Sequence, residues 1–116
     1  MNDCVFCKII DGAIPSKRYY EDERMIVIAD IDPKAAKHYL AMPKKHYKLL
    51  SEMTEADRND LGVIFATIAR IAPELGLGNG YRLVINQGDD AGQTVFHLHI
   101  HIMGGQVLDF PDLKKA

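Results

Sequence analysis

The chain has 116 residues and a formal net charge of -2, with hydrophobic residues at 47% and charged residues at 26%. That balance suits one folded globular domain over residues 1–116 and excludes a catalytic unit with a separate cofactor module. The Lys/Arg excess needed for counterion release is absent, and no apolar run nears the roughly 20 residues of a membrane span, so neither nucleic acid nor membrane is an expected partner.

Met1-Asn2-Asp3-Cys4 shows no basic stretch leading into an apolar core, so no signal peptide is read and a cytoplasmic location is expected. Cys4-x-x-Cys7 is too sparse for a disulfide framework and points to metal or redox chemistry. Val5–Ile10 predicts one or two helical turns, punctuated by the turn Asp11–Ser16. Met25–Asp30, rich in branched residues, predicts a strand broken at Asp32-Pro33. His38–Met42 predicts a second strand, stopped by Pro43. Lys44, Lys45 and Lys48 form a small basic cluster expected to be solvated.

The clearest element is a helix. Ser51 or Thr54 can cap it, Glu55 and Asp57 lie in its first turn, and Leu61, Ile64, Phe65, Ile68 and Ile71 fall on one face. Pro73 and the run Gly76–Gly80 end it. Those glycines stand after a helix and before a strand, the wrong order for a dinucleotide fingerprint. Tyr81–Asn86 predicts a third strand, Gln87–Gln93 a loop, and Val95–Met103 the last strand. Strands joined mostly by short turns, with one long helix, predict an α+β fold with a mainly antiparallel sheet and the helix on one face.

In a strand, side chains alternate between faces. Phe96, Leu98, Ile100 and Ile102 would then form one row under the helix, and His97, His99 and His101 an outward row. Three of the chain's five histidines sit in this segment. A merely solvated face would favour Thr, Lys or Glu. Either two of the imidazoles grip a metal, or the row is catalytic, since histidine can act as nucleophile, acid and base near neutral pH. The preceding Gly88–Thr94 loop offers glycines, an amide and a hydroxyl, the donors a phosphate prefers.

Gly92-Gln93-Thr94-Val95-Phe96-His97-Leu98-His99-Ile100-His101-Ile102-Met103 resembles the histidine triad signature, His-φ-His-φ-His-φ-φ with φ apolar. Asp30-Ile31-Asp32-Pro33, the stretch from His38 to His46, and Phe6-Cys7-Lys8-Ile9-Ile10 with Ile14-Pro15-Ser16 are similar to the family's earlier segments in order and separation. Gly104-Gly105 is similar to the branch of small nucleotide-binding phosphoramidases. The resemblance implies about five strands, with the sheet continued across a homodimer. It implies hydrolysis of a purine nucleoside phosphoramidate at the α-phosphate through a nucleotidyl-histidine, with no metal needed for catalysis. His99 would be the nucleophile, His101 would contact phosphate and assist the leaving group, and His38 would support the triad. Asn86, Gly92, Gln93 and Thr94 match phosphate-contacting positions, Asp30 the ribose acceptor, and Phe6, Ile9, Ile14, Ile28 and Ile31 the base pocket. Most relatives have Ser where Thr94 stands. A dinucleoside polyphosphate hydrolase, a metal-binding protein and a non-catalytic nucleotide-binding module stay open as alternatives.

In some relatives carrying Cys-x-x-Cys the pair binds structural zinc with two histidines, and the resemblance implies Cys4, Cys7, His46 and His97 for that set here. The phosphoramidase branch usually lacks these cysteines, so this chain joins two patterns. The resemblance also implies that the tail reaches a neighbouring active site, with Phe110 where relatives have Trp.

Overall fold

The computed structural model describes residues 4–109. Five strands, β1 (Arg18–Glu21), β2 (Met25–Ala29), β3 (Lys37–Pro43), β4 (Tyr81–Val84) and β5 (Ile100–Gly104), form one sheet in the order β1-β2-β3-β5-β4. Every pairing is antiparallel. Helix α1 (Val5–Ile10) precedes the sheet, and helix α2 (Glu55–Ile71) lies between β3 and β4. This is the α+β architecture the sequence predicts. Strand β1 was not foreseen: Arg-Tyr-Tyr-Glu is a short polar edge with no apolar run to mark it.

Both faces of the central sheet are covered, which is why β2 reads as continuous apolar sequence. On one face Met25, Val27, Tyr39, Ala41, Ile100 and Ile102 pack with Ile64, Ile68 and Ile71 of α2. On the other, Ile26, Ile28, Leu40 and Met42 pack with Phe6 and Ile9 of α1. Thr54 caps α2. Its hydroxyl accepts from the Asp57 N–H at 3.2 Å while the Asp57 carboxylate accepts from the Thr54 N–H at 3.0 Å. The carboxylate also takes the Tyr47 hydroxyl at 2.7 Å and pairs with Lys45 at 3.0 Å. With Lys44 paired to Glu21, two of the three lysines of the cluster are engaged rather than merely solvated. After Ile71 a 3₁₀ turn over Ala72–Leu75 carries Pro73, and Gly76 at φ 80° closes it.

The last strand is shorter than its sequence suggests. β5 begins only at Ile100, and residues 95–99 are irregular. Continuing the β3–β5 register would set Leu98 opposite Pro43. Pro43 has no N–H to give, its carbonyl accepts from His97 Nε2 at 2.8 Å, and the Leu98 N–H is taken instead by the Tyr47 carbonyl at 2.6 Å, so the ladder does not continue. Two expectations fail as a result. Phe96 leaves the apolar row and is 44% exposed, while Leu98, Ile100 and Ile102 stay fully buried. The histidine row does not face water: His97 and His99 are buried and His101 is half-buried. His101 pairs across the sheet with Leu40, which puts it on the α1 face.

Candidate active site

On the α1 face the sheet opens into a cleft of about 440 Å³, within the range that holds small ligands. Phe6, Ile9, Ile14 and Ile28 give it an apolar end. Ile31 stands at its mouth, fully exposed. Asp30, Thr94, His99 and His101 line the rest. These expected site residues are thus brought together by α1, the end of β2 and the segment entering β5.

The partners of each imidazole assign its tautomer. His99 Nδ1 lies 2.7 Å from the backbone carbonyl of His97. A carbonyl only accepts, so Nδ1 carries the hydrogen, and in the neutral ring the lone pair is on Nε2. Phe6 meets the His99 ring edge-on, with centroids 5.0 Å apart and planes at 81°. His38, also buried, accepts the Lys34 N–H at Nδ1, 3.0 Å away, so its hydrogen sits on Nε2. That Nε2 lies 2.9 Å from His101 Nδ1 and 3.3 Å from an Asp30 oxygen. His101 Nδ1 therefore accepts, and its remaining N–H is on Nε2. Burial, reinforced by the neighbouring His99 and His38, pulls the His101 pKa down to about 4. Burial also lowers His38. His101 is accordingly a neutral donor, not an imidazolium. Lys34 is the participant that sequence reasoning missed. It acts through a backbone amide, which leaves no signal in side-chain identity.

The remaining phosphate candidates are placed differently. Gln93 is buried, with its carbonyl accepting the Gly88 N–H at 2.8 Å and its amide donating to the carbonyls of Lys48 and Val95. Gly92, at φ 75°, closes the Asp89–Ala91 turn. Asn86, Gly92 and Gln93 do not line the cleft, whereas Thr94 does. Gln93 and Gly92 shape the loop that presents Thr94.

Beside the cleft a second cluster is assembled. Cys4, the N-cap of α1, and Cys7, one turn on, bring their Sγ atoms to 3.4 Å from His97 Nδ1, and Cys7 Sγ lies 3.2 Å from His46 Nδ1. Ligand atoms of all four residues lie within 4.8 Å of one another. Sulfur and nitrogen on a tetrahedral zinc stand about 3.5 Å apart, so the donor set fits that ion. His97 Nε2 donates to the Pro43 carbonyl, which leaves Nδ1 bare towards the thiols, the usual outer support of a metal-bound imidazole. Asp30, His38 and His101 form another group of possible ligands among the described residues. The Lys34 N–H and the His38–His101 hydrogen bond already account for the nitrogens that face one another there. Phe110 lies outside the described residues.

Antiparallel sheet, flanking helices and a buried histidine row define the class as a histidine triad domain. The family model described as scavenger mRNA decapping enzyme C-term binding matches residues 3–110. A HIT family hydrolase from Clostridium thermocellum is 46% identical, covers 94% of this chain and 96% of its own, and superimposes with a TM-score of 0.88. A histidine triad nucleotide-binding protein from Candida albicans is 29% identical over 97% of this chain and 91% of its own, with a TM-score of 0.78. A zinc-bound histidine triad family protein from Mycobacterium smegmatis is 39% identical over 90% and 76%, with a TM-score of 0.76. The chain belongs to the histidine triad (HIT) family.

Proposed function

We propose that this protein is a nucleotide-binding hydrolase that cleaves purine nucleoside phosphoramidates at the α-phosphate. The observation that carries the reading is the His99 tautomer. Its Nδ1–H is held by the His97 carbonyl, so the neutral ring, which lines the cleft, has its lone pair on Nε2. In its neutral form an imidazole so oriented can act as a nucleophile. The base lies in the apolar end and the ribose hydroxyls donate to Asp30. The α-phosphate meets His99, the His101 Nε2–H and the Thr94 hydroxyl. An apolar end with little polar lettering discriminates weakly between purines.

In the first step His99 Nε2 attacks phosphorus. The P–N bond breaks, its electron pair leaves on nitrogen, and the amine takes a proton from solvent. The His101 N–H stabilises the phosphoryl oxygens without itself ionising. In the second step water attacks the nucleotidyl-histidine. The P–His99 bond breaks with its electron pair returning to Nε2, and nucleoside monophosphate and a proton are released. The similarity to a HIT family hydrolase and to a nucleotide-binding member supports this reading. The test is intact-mass detection, after rapid acid quench, of a nucleotidyl adduct that maps to His99. Turnover with no such adduct and an undiminished His99→Ala rate overturns the reading.

Cys4, Cys7, His46 and His97 would hold zinc as a closed structural site, supplying charge for the two thiolates and a clamp for α1. The zinc-bound Mycobacterium smegmatis relative supports this. The edge strand β4 is where a second copy would continue the sheet into a homodimer.

A further inference from the structure

The apolar end of the cleft has two walls. Phe6 and Ile9 stand on α1, and Ile14 belongs to the loop after it, whose Ile14 N–H donates back to the Lys8 carbonyl at 3.1 Å. The facing wall is Ile28 on β2. The first wall is the weaker one. Helix α1 has only six residues, and a helix so short is not stable by itself. The last carbonyls of any helix also need partners from outside it.

One side chain reaches from the sheet to supply them. Arg18 Nη2 donates to the carbonyls of Ile9 and Ile10 at 2.7 and 2.9 Å, and Nη1 donates to Glu21 Oε2 at 2.8 Å. In the β1–β2 pairing the same Arg18 lies opposite Ile28, and the register shifts between Arg18 and Tyr20. Such an irregularity re-aims a side chain. Arg18 thus joins both walls. Its backbone is paired to the strand that carries Ile28, and its guanidinium grips the helix end that carries Ile9. The grip is braced from behind, because Glu21 also takes the Lys44 ammonium at 2.8 Å. Hydrogen bonds from Lys44 and Arg18 hold the Glu21 carboxyl below its ordinary pKa. Only 24% of the Arg18 side chain is exposed, so its bonds are partly shielded from water. A cation suits a helix C-terminus, and a planar fork serves two carbonyls and a carboxylate at once, which a single ammonium does less well.

We infer that Arg18 is a positioning residue for the base: it sets the distance between α1 and β2 and thereby gives the cleft its preference for a bicyclic over a monocyclic base. The role rests on the base lying at this end of the cleft, as read above. Arg18 does not itself line the cleft and acts only through the helix. A purine presents more apolar surface to two facing walls than a pyrimidine does, so its binding depends more on their spacing.

The experiment measures dissociation constants of adenosine and cytidine monophosphates by calorimetry, and amide hydrogen exchange, for the parent, Arg18→Met and Arg18→Lys at matched metal content. Arg18→Met weakens the adenosine nucleotide about fivefold and the cytidine nucleotide less than about twofold. Arg18→Lys keeps the charge opposite Glu21 but not the double grip on α1, so its preference falls between the other two. In Arg18→Met, protection of the Lys8, Asp11 and Ile14 amides drops about tenfold, while the amides of β2 and β3 exchange as in the parent. General damage to the fold instead lowers both affinities and all protection together, and that result overturns the role. So does a base preference that stays where it was, or protection of α1 equal to the parent's. If the parent binds neither nucleotide, the nucleotide reading falls on its own and the base preference with it. Exchange at Lys8, Asp11 and Ile14 then decides alone whether Arg18 holds α1.

Discussion

His97 and His99 are tied by one hydrogen bond with consequences on both sides: the His99 Nδ1–H donates to the His97 carbonyl at 2.7 Å, while the His97 ring turns its own Nδ1 to the thiols of Cys4 and Cys7. The backbone of one residue fixes the tautomer of the proposed nucleophile, and its side chain belongs to the group that could hold a metal. The fully buried His97 thus links the proposed reacting centre to the Cys/His cluster at α1.

Replacing His99 with Ala removes the nucleophile and little else. We expect turnover of an adenosine phosphoramidate to fall by on the order of 10³-fold or more, with nucleoside monophosphate binding retained. Stopped assays and equilibrium titration on the same preparation check both halves.

Cys4→Ser with Cys7→Ser breaks the donor set without adding bulk. Because α1 carries Phe6 and Ile9 onto the wall of the cleft, loss of the proposed clamp would reach the place proposed for the base. Elemental analysis should show about one equivalent of zinc in the parent purified without chelator, and none in the double variant. The variant should melt at lower temperature and bind a nucleoside monophosphate more weakly.

Asp30→Asn keeps the size of the side chain and removes its charge. The ribose then loses charge-assisted hydrogen bonds, each about 1.5–3 kcal/mol. Binding of adenosine monophosphate should weaken at least tenfold, while a ribose analogue without its hydroxyls should bind parent and variant alike.

The pH dependence of stability has a definite sign. Burial lowers both His38 and His101, the latter to about 4, so the folded chain holds fewer protons on them than the unfolded chain does. Their contribution is complete above the unfolded value of about 6.5 and is lost as pH falls from there towards 4. The urea midpoint should be level between pH 7 and 8 and drop progressively below 6.5. A flat midpoint down to pH 5 would contradict the buried neutral pair.

Thr54→Ala removes the hydroxyl of the reciprocal cap at the start of α2. The expected cost is about 1 kcal/mol, read as a lower denaturant midpoint with an unchanged slope. Activity per folded molecule should not change, because α2 packs on the sheet face opposite the cleft.

The strongly patterned elements were legible in the sequence. Branched runs marked β2 and β3, and a capping residue followed by apolar residues at helical spacing marked α2, because local backbone preference and burial agree there. The four-residue polar strand β1 carried no such agreement, since its pairing depends on β2 lying alongside. In the site, the identities of Cys4, Cys7, His46, Asp30 and the triad were readable as chemistry. The protons on His38, His99 and His101 were not, because the carbonyl of His97 and the amide of Lys34 decide them, and every residue type offers those groups.

Alternation along 95–103 by itself determined that histidines and aliphatics would part company. Only the tertiary structure decided where that alternation stops. Pro43, brought opposite Leu98 by the pairing of β3 with β5, offers no hydrogen to the ladder and gives its carbonyl to His97. A strand's faces follow from two-residue periodicity in the chain, but its length follows from the donors and acceptors of whichever segment folds against it.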